Sequence, residues 1–396
     1  MGQHRQYQGQ KTISKIVWVL SLVSLFTDMA SEMLYPVMPI YLKSIGFSVV
    51  LIGILEGVAE AIAGLSKGYF GKLSDNSGKR LPFVQWGYLL SALSKPMMAV
   101  LTFPLWIFSA RTIDRLGKGI RTGARDAMLS DEATPGKKAT VFGFHRSMDT
   151  LGAVIGPLLA LGFLYYYPEN YKSLFYLAFI PGLVAISFTF LLKNRISVPK
   201  DSHRKTAFFD FIQYWKTSPA TYRKLVLGLL IFTLFNSSDV FLLLKMKENG
   251  LSDVATIGIY IFYNMIYALF AYPLGMLADR FGLKKIFITG LLLFAGVYFG
   301  MAVNTSLYGF FTLLFFYGIY AAATEGIAKA WITNITDKKD TATGIGTFTA
   351  FQSICTMIAS SLTGLVWFNF GSLVAFMATA VVTLVVIVYT ALLKPV

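Results

Sequence analysis

Apolar runs of about twenty residues, parted by short polar breaks, recur along the whole chain: 16–41, 49–70, 82–103, 105–129, 140–165, 173–192, 225–244, 254–274, 286–303, 307–331, 342–365 and 372–393. Each is long enough to cross the hydrocarbon layer as an α-helix, and none shows the ten-residue alternation of a barrel strand. The pattern predicts an all-α membrane protein with twelve transmembrane helices. Connections are short except for the polar stretch 193–224, which parts an N-terminal six-helix bundle (1–192) from a C-terminal one (225–396). In that stretch Phe208, Phe211, Ile212 and Trp215 recur at helical spacing, with Asp210, Gln213 and Lys216 opposite. An amphipathic helix lying on the membrane surface would look like this, as would a plain tether.

The polar breaks themselves repeat. Gly71-Lys72-Leu73-Ser74-Asp75-Asn76-Ser77-Gly78-Lys79-Arg80 returns 204 positions later as Gly275-Met276-Leu277-Ala278-Asp279-Arg280-Phe281-Gly282-Leu283-Lys284-Lys285. Two related halves of a helical membrane protein are the usual build of a secondary transporter.

Charge then sets orientation. With the N-terminus inside, cytoplasmic segments hold 22 of the 35 Lys and Arg and the outer loops hold 4. Both termini are therefore expected in the cytoplasm. Topology accounts for most of the net charge of +15, so nucleic-acid binding is not implied, although the basic loops attract anionic lipid headgroups. A mean hydropathy of +0.61 with 14% charged residues agrees with a membrane protein. The single Cys355 excludes an intramolecular disulfide framework. No cleavable signal peptide is evident, and compact size with short loops points to a bacterial inner (plasma) membrane.

Nine basic residues remain inside spans: Lys67, Lys95, Arg111, Arg115, Lys118, Arg121, Arg125, Arg146 and Lys329. Charges at membrane depth face a cavity or a partner. Lys67 is expected to snorkel to the headgroups. On the fourth span Arg111, Asp114, Arg115, Lys118, Arg121, Arg125 and Asp126 share one face, and Gly117, Gly119 and Gly123 admit a close neighbour. Acidic pairs four residues apart answer them: Asp28 with Glu32, Glu56 with Glu60, and His145 with Asp149, beside Arg146. The C-terminal half offers Asn236, Asp239, Asn264, Glu325 and Lys329, the last two spaced to neutralise each other. At an offset of 207 Asp239 falls on Glu32, and Gly326-Ile327 on Gly119-Ile120. Substrate binding and proton coupling are thus expected mainly in the first half, with an aromatic and amide wall in the second.

The loop from Gly71 to Arg80 resembles the G-x-L-x-D-x-x-G-R/K-R/K loop of the major facilitator superfamily, and Gly275 to Lys285 its weaker counterpart. Arg115-Leu116-Gly117-Lys118-Gly119 is similar to the R-x-x-Q-G pattern of twelve-span drug:proton antiporters, with Lys118 in place of glutamine. Gly152 to Pro157 resembles the G-x-x-x-G-P motif associated with antiporters. The resemblance implies two six-helix bundles rocking about a central site. It also implies a cytoplasmic gate of Gly71, Asp75, Gly78, Lys79, Arg80, Arg125, Asp126, Asp279 and Arg280. In that gate Asp75 would meet a helix N-terminus, and Lys79 and Arg80 an acidic group such as Asp126.

The expected function is proton-coupled export of a small anionic or zwitterionic organic solute or drug. No cofactor is expected beyond the proton gradient; the partners are the solute, protons and lipid, and the chain acts as a monomer. Alternatives are an uptake symporter of an organic anion, or a transporter of a divalent metal or its chelate bound by Asp28, Glu32, His145 and Asp149. No nucleotide loop, H-E-x-x-H pattern or nucleophile motif is present, which argues against an enzyme.

Overall fold

A computed structural model describes residues 12–35, 37–193 and 207–393. Its described residues form helices and no strands. In chain order these are α1 (Lys15–Glu32), α2 (Met38–Ser44), α3 (Val49–Ser77), α4 (Leu81–Val100), α5 (Pro104–Glu132), α6 (Lys138–Tyr166) and α7 (Tyr171–Thr189). There follow α8 (Asp210–Thr217), α9 (Ala220–Phe235), α10 (Val240–Glu248), α11 (Asp253–Phe281), α12 (Leu283–Val303), α13 (Leu307–Asn334) and α14 (Thr341–Leu392).

Twelve crossings result, because α1 with α2 and α9 with α10 each make one broken span, and α14 makes two. Gly371, at φ 83°, breaks α14 where a side chain would be strained. The sequence reading drew the first and seventh spans as continuous; the chain instead leaves the helix after Glu32 and again over 236–239. Serine side chains start four of the helices: Ser14, Ser48, Ser252 and Ser306 each accept from a backbone N–H three residues on. Gly78, at φ 63°, ends α3.

Two bundles are joined along two seams, α6 against α11 and α3 against α14. Lipid tails are as apolar as leucine, so these seams depend on close backbone packing and polar contacts. Glycine provides the approach: a Cβ on Gly143 would stand 2.5 Å from the Ala271 carbonyl oxygen, and one on Gly71 2.5 Å from that of Ala342. Exposed aromatic residues near helix ends, among them Tyr165, Tyr166, Tyr308 and Phe368, suit the headgroup level.

The helix read from 208–216 is present as α8, but it does not simply lie on lipid. Phe211 and Tyr214 are buried, Phe211 against the bare backbone of Gly68, while Lys72 Nζ donates to the Asp210 carbonyl and Thr347 to that of Phe211. α8 therefore straps α3 to α14.

Candidate functional site

Between the halves lies a cavity of about 940 Å³. Its walls come from α3 (Glu60, Gly64, Lys67), α5 (Arg111, Arg115), the break before α10 (Ser238, Val240) and α14 (Gln352, Ser353, Thr356, Ser360). Arg115 stands 3.6 Å from Glu60, and Lys67 Nζ donates to Ser353 Oγ across the seam at 3.3 Å. Lys67 therefore lines the cavity and does not snorkel: its stem runs toward α14, where a hydroxyl receives the ammonium. Lys118 is exposed on the same helix as Arg115, within electrostatic reach of Asp28, Glu32 and Glu60. The side chain of Glu56 lies outside the described residues.

The stripe on α5 does not act as one surface. Asp114 turns to Lys95 of α4 at 2.8 Å, with Arg111 at 3.7 Å. Arg121 donates to Ser91 at 2.6 Å and lies over the Tyr88 ring at 4.6 Å, so it ties α5 to α4. Gly87 and Gly117 meet in that crossing, which brings the α4 side chains within reach. Only Arg111 and Arg115 of the seven line the cavity described above.

Two ion pairs join the halves at depth. Arg146 bridges Asp149, at 2.7 Å on its own helix, to Glu325 of α13. Lys329 reaches Asp126 of α5 at 2.8 Å, and Asp126 also holds Arg125 at 2.9 Å. Glu325 and Lys329 thus do not neutralise each other, because each finds a closer partner in the opposite bundle. Ser24 donates to Asp149, and Ser21 faces His145 Nδ1 at 3.4 Å. With Asp149 committed to Arg146, the divalent-metal alternative at Asp28, Glu32, His145 and Asp149 loses its site: no group of three or more metal-ligating side chains gathers among the described residues.

In the second half, beside the lining residues Ser238 and Val240, the hydroxyls of Tyr263 and Tyr317 donate to Asp239 at 2.6 and 2.7 Å, and Asn236 Nδ2 donates to Tyr320 at 3.1 Å. Asn264 is buried and spent on the carbonyl of Tyr260, so it offers the cavity nothing. The sequence reading missed Tyr263, Tyr317 and Tyr320. Tyrosines at 260, 263 and 267, and again at 317 and 320, carry a helical spacing that marks one polar-aromatic face.

The end bearing the termini is closed. Asp75 accepts from the N–H and hydroxyl of Thr343 at 2.7 and 2.8 Å, and Asp279 accepts from the N–H groups of Ala139 and Thr140. Arg80 pairs with Asp131 and, at 3.5 Å, with Asp75, and it donates to the Lys338 carbonyl of the other half at 3.4 Å. It does not reach Asp126, which sits a turn and more deeper along α5, and Lys79 is exposed. Arg280 is also exposed, over the ring of Phe281. Burial pushes Asp75 up to about 7 against the pull of Arg80, and burial likewise raises Asp131 and Asp279.

Comparison with known proteins agrees with this architecture. The family model of the Major Facilitator Superfamily matches residues 20–262 and 244–396. An MFS-type transporter of Methanocaldococcus jannaschii is 30% identical over 381 residues, 93% of this chain and 94% of that one. The quinolone resistance protein NorA of Staphylococcus aureus is 25% identical over 190 residues, 48% of this chain and 47% of NorA. Among solved structures, the human organic anion transporter MFSD10 superposes with a TM-score of 0.78 at 16% identity, covering 96% of this chain and all of that one. The transporter FucP in its outward conformation gives 0.75 at 12% identity, covering 98% and 100%.

Proposed function

Since this chain belongs to the Major Facilitator Superfamily and is a membrane transporter, we propose that it exports a small anionic or zwitterionic organic solute in exchange for protons. The observation that carries the reading is the cationic wall: among the described residues Lys67, Arg111 and Arg115 line the cavity, with Glu60 the one carboxylate beside them. Guanidinium groups match carboxylates and phosphates in a two-pronged geometry. Arg111 stands 3.7 Å from Asp114 and Arg115 3.6 Å from Glu60, longer than a close charge-assisted hydrogen bond, so a solute anion can compete for both.

Coupling falls to Asp28 and Glu32, which make no ion pair among the described residues yet lie within electrostatic reach of Lys118. Exchange requires that protonation of these carboxylates and binding of the solute exclude each other, so that each leaves as the other arrives. The excess of basic residues in the segments on the side of the termini supports a cytoplasmic orientation for both. On that orientation the structure is the outward-facing state, closed inside by Asp75 and Asp279. The partial likeness to a quinolone resistance protein and the motif from Gly152 to Pro157 support export. The site of action is taken as a bacterial plasma membrane, with the chain working as a monomer.

The test is flux in reconstituted vesicles, with a panel of labelled carboxylates and amino acids and an imposed pH gradient of either sign. Movement of anionic or zwitterionic solutes against the proton gradient is expected. Flux that ignores both the gradient and the solute charge would overturn the proposal.

A further inference from the structure

We infer that Asp239 and the tyrosines around it form a subsite for a protonated amine, so that the solute carries an ammonium group as well as an anionic one. This deepens the reading in which Arg111 and Arg115 hold the anionic end, and it rests on that reading for the pairing of the two ends.

The subsite begins with a break in a helix. α9 stops at Phe235 and α10 starts at Val240, and Asp239 makes no capping hydrogen bond to its own helix. Broken helices near mid-membrane place polar groups in a transporter's binding space. Here the carboxylate turns to α11 and α13, where the hydroxyls of Tyr263 and Tyr317 hold its two oxygens at 2.6 and 2.7 Å. About half of its lone-pair positions stay open. Its neighbours Ser238 and Val240 line the cavity, and Asp239 itself is only half-buried.

Charge supplies the second argument. Asp114, Asp126, Asp149 and Glu325 each have a lysine or arginine within ion-pair distance. Among the described residues no Lys, Arg or His makes an ion pair with Asp239. Two neutral hydroxyls orient an anion at membrane depth without cancelling its charge. A cation brought by the ligand would cancel it.

The surroundings select which cation. Rings of Tyr260 and Tyr263 lie 5.3 Å apart, those of Tyr263 and Tyr317 5.4 Å, and those of Tyr317 and Tyr320 5.2 Å, so packed aromatic rings run continuously beside the carboxylate, with Tyr260 half-buried at their edge. Aromatic faces attract organic ammonium ions. The Asn236 amide, spent at one end on Tyr320, leaves its oxygen buried without a donor. A carboxylate, a free amide acceptor and ring faces all favour an N–H-bearing cation. A bare metal ion would want more oxygen ligands than gather here.

The test uses the full chain in lipid nanodiscs and two probes of similar shape, benzylammonium and benzoate, titrated with thermal melting as the readout of folding and of binding. Benzylammonium is expected to bind wild type saturably and Arg115→Ala at least as well. Asp239→Asn should weaken it about tenfold or more, and Tyr263→Phe by a smaller factor. Benzoate should lose its binding in Arg115→Ala and keep it in Asp239→Asn. No saturable benzylammonium binding to wild type, or equal binding to Asp239→Asn, overturns the subsite. So does an Asp239→Asn protein that binds benzylammonium normally and loses only the pH dependence of flux, since Asp239 would then be a proton carrier. Benzoate binding indifferent to Arg115, alongside amine binding that needs Asp239, leaves the subsite standing and removes the anionic half of the proposed function.

Discussion

Asp75 of the first half caps a helix of the second: both its hydrogen bonds from Thr343, at 2.7 and 2.8 Å, fall in the opening turn of α14. Asp279 does the same in the opposite sense for α6, through Ala139 and Thr140. Neither α6 nor α14 has a side-chain cap of its own. The exposed N–H groups of a helix start need acceptors, and in each case the other bundle provides one. Opening this end therefore uncaps two helices at once.

The cap at Asp75 makes the closed end sensitive to pH. Its carboxyl titrates near 7 when buried in the seam and near the ordinary carboxylate value when wet. A raised value means that the closed arrangement holds the proton more tightly. Its contribution to closure is full below about pH 4 and is lost as pH rises through about 7. Distance measurements between spin labels on α3 and α14 should show this end opening more from pH 5 to pH 8. Asp75→Asn should flatten that dependence.

Removing a cap altogether should act through helix starts. Asp279→Ala is expected to cost about 0.5–2 kcal/mol of closure, the usual worth of an N-cap. Hydrogen exchange at the first turn of α6 is the readout, with faster exchange confined to that turn.

The buried pair of Asp126 and Lys329 should behave non-additively. Asp126→Ala strands both Lys329 and Arg125 and is expected to destabilise by about 3–5 kcal/mol, whereas Lys329→Ala leaves Asp126 with Arg125 and should cost less. The double variant should be milder than the sum of the two singles. Melting temperatures of the three proteins in detergent check this.

The strap also yields a sign. A Cβ on Gly68 would sit 2.6 Å from the ring of Phe211, so Gly68→Ala is expected to lift α8 from the seam. The cost should be about 1–3 kcal/mol, as for other overpacked sites. Limited proteolysis between residues 207 and 219 should quicken in the variant.

Much of the architecture was legible because lipid imposes it. Long apolar runs and the repeat at Asp75 and Asp279 read directly from spacing. What spacing could not supply is choice among partners. Arg121 and Arg115 share a face of α5, yet one turns to Ser91 and the other to the cavity, because α4 packs along Asp114, Gly117 and Arg121. Glu325 and Lys329 have the spacing of a mutual pair, and partners in the opposite bundle separate them. Asn236-Ser237-Ser238-Asp239, and Pro36 with Pro39 after Glu32, are breaker signals that span length alone passes over, since apolar residues continue on both sides.

Alternating access in this chain requires one cavity reached from opposite faces in turn. Side-specific labelling tests this with a Thr356→Cys reporter on the cavity wall in a Cys355→Ser background, using an impermeant maleimide in oriented vesicles. The reporter is expected to label from the face opposite the termini, and Asp75→Ala with Asp279→Ala should move its labelling to the terminus-bearing face. Labelling from one and the same face in both proteins would contradict alternating access through this cavity.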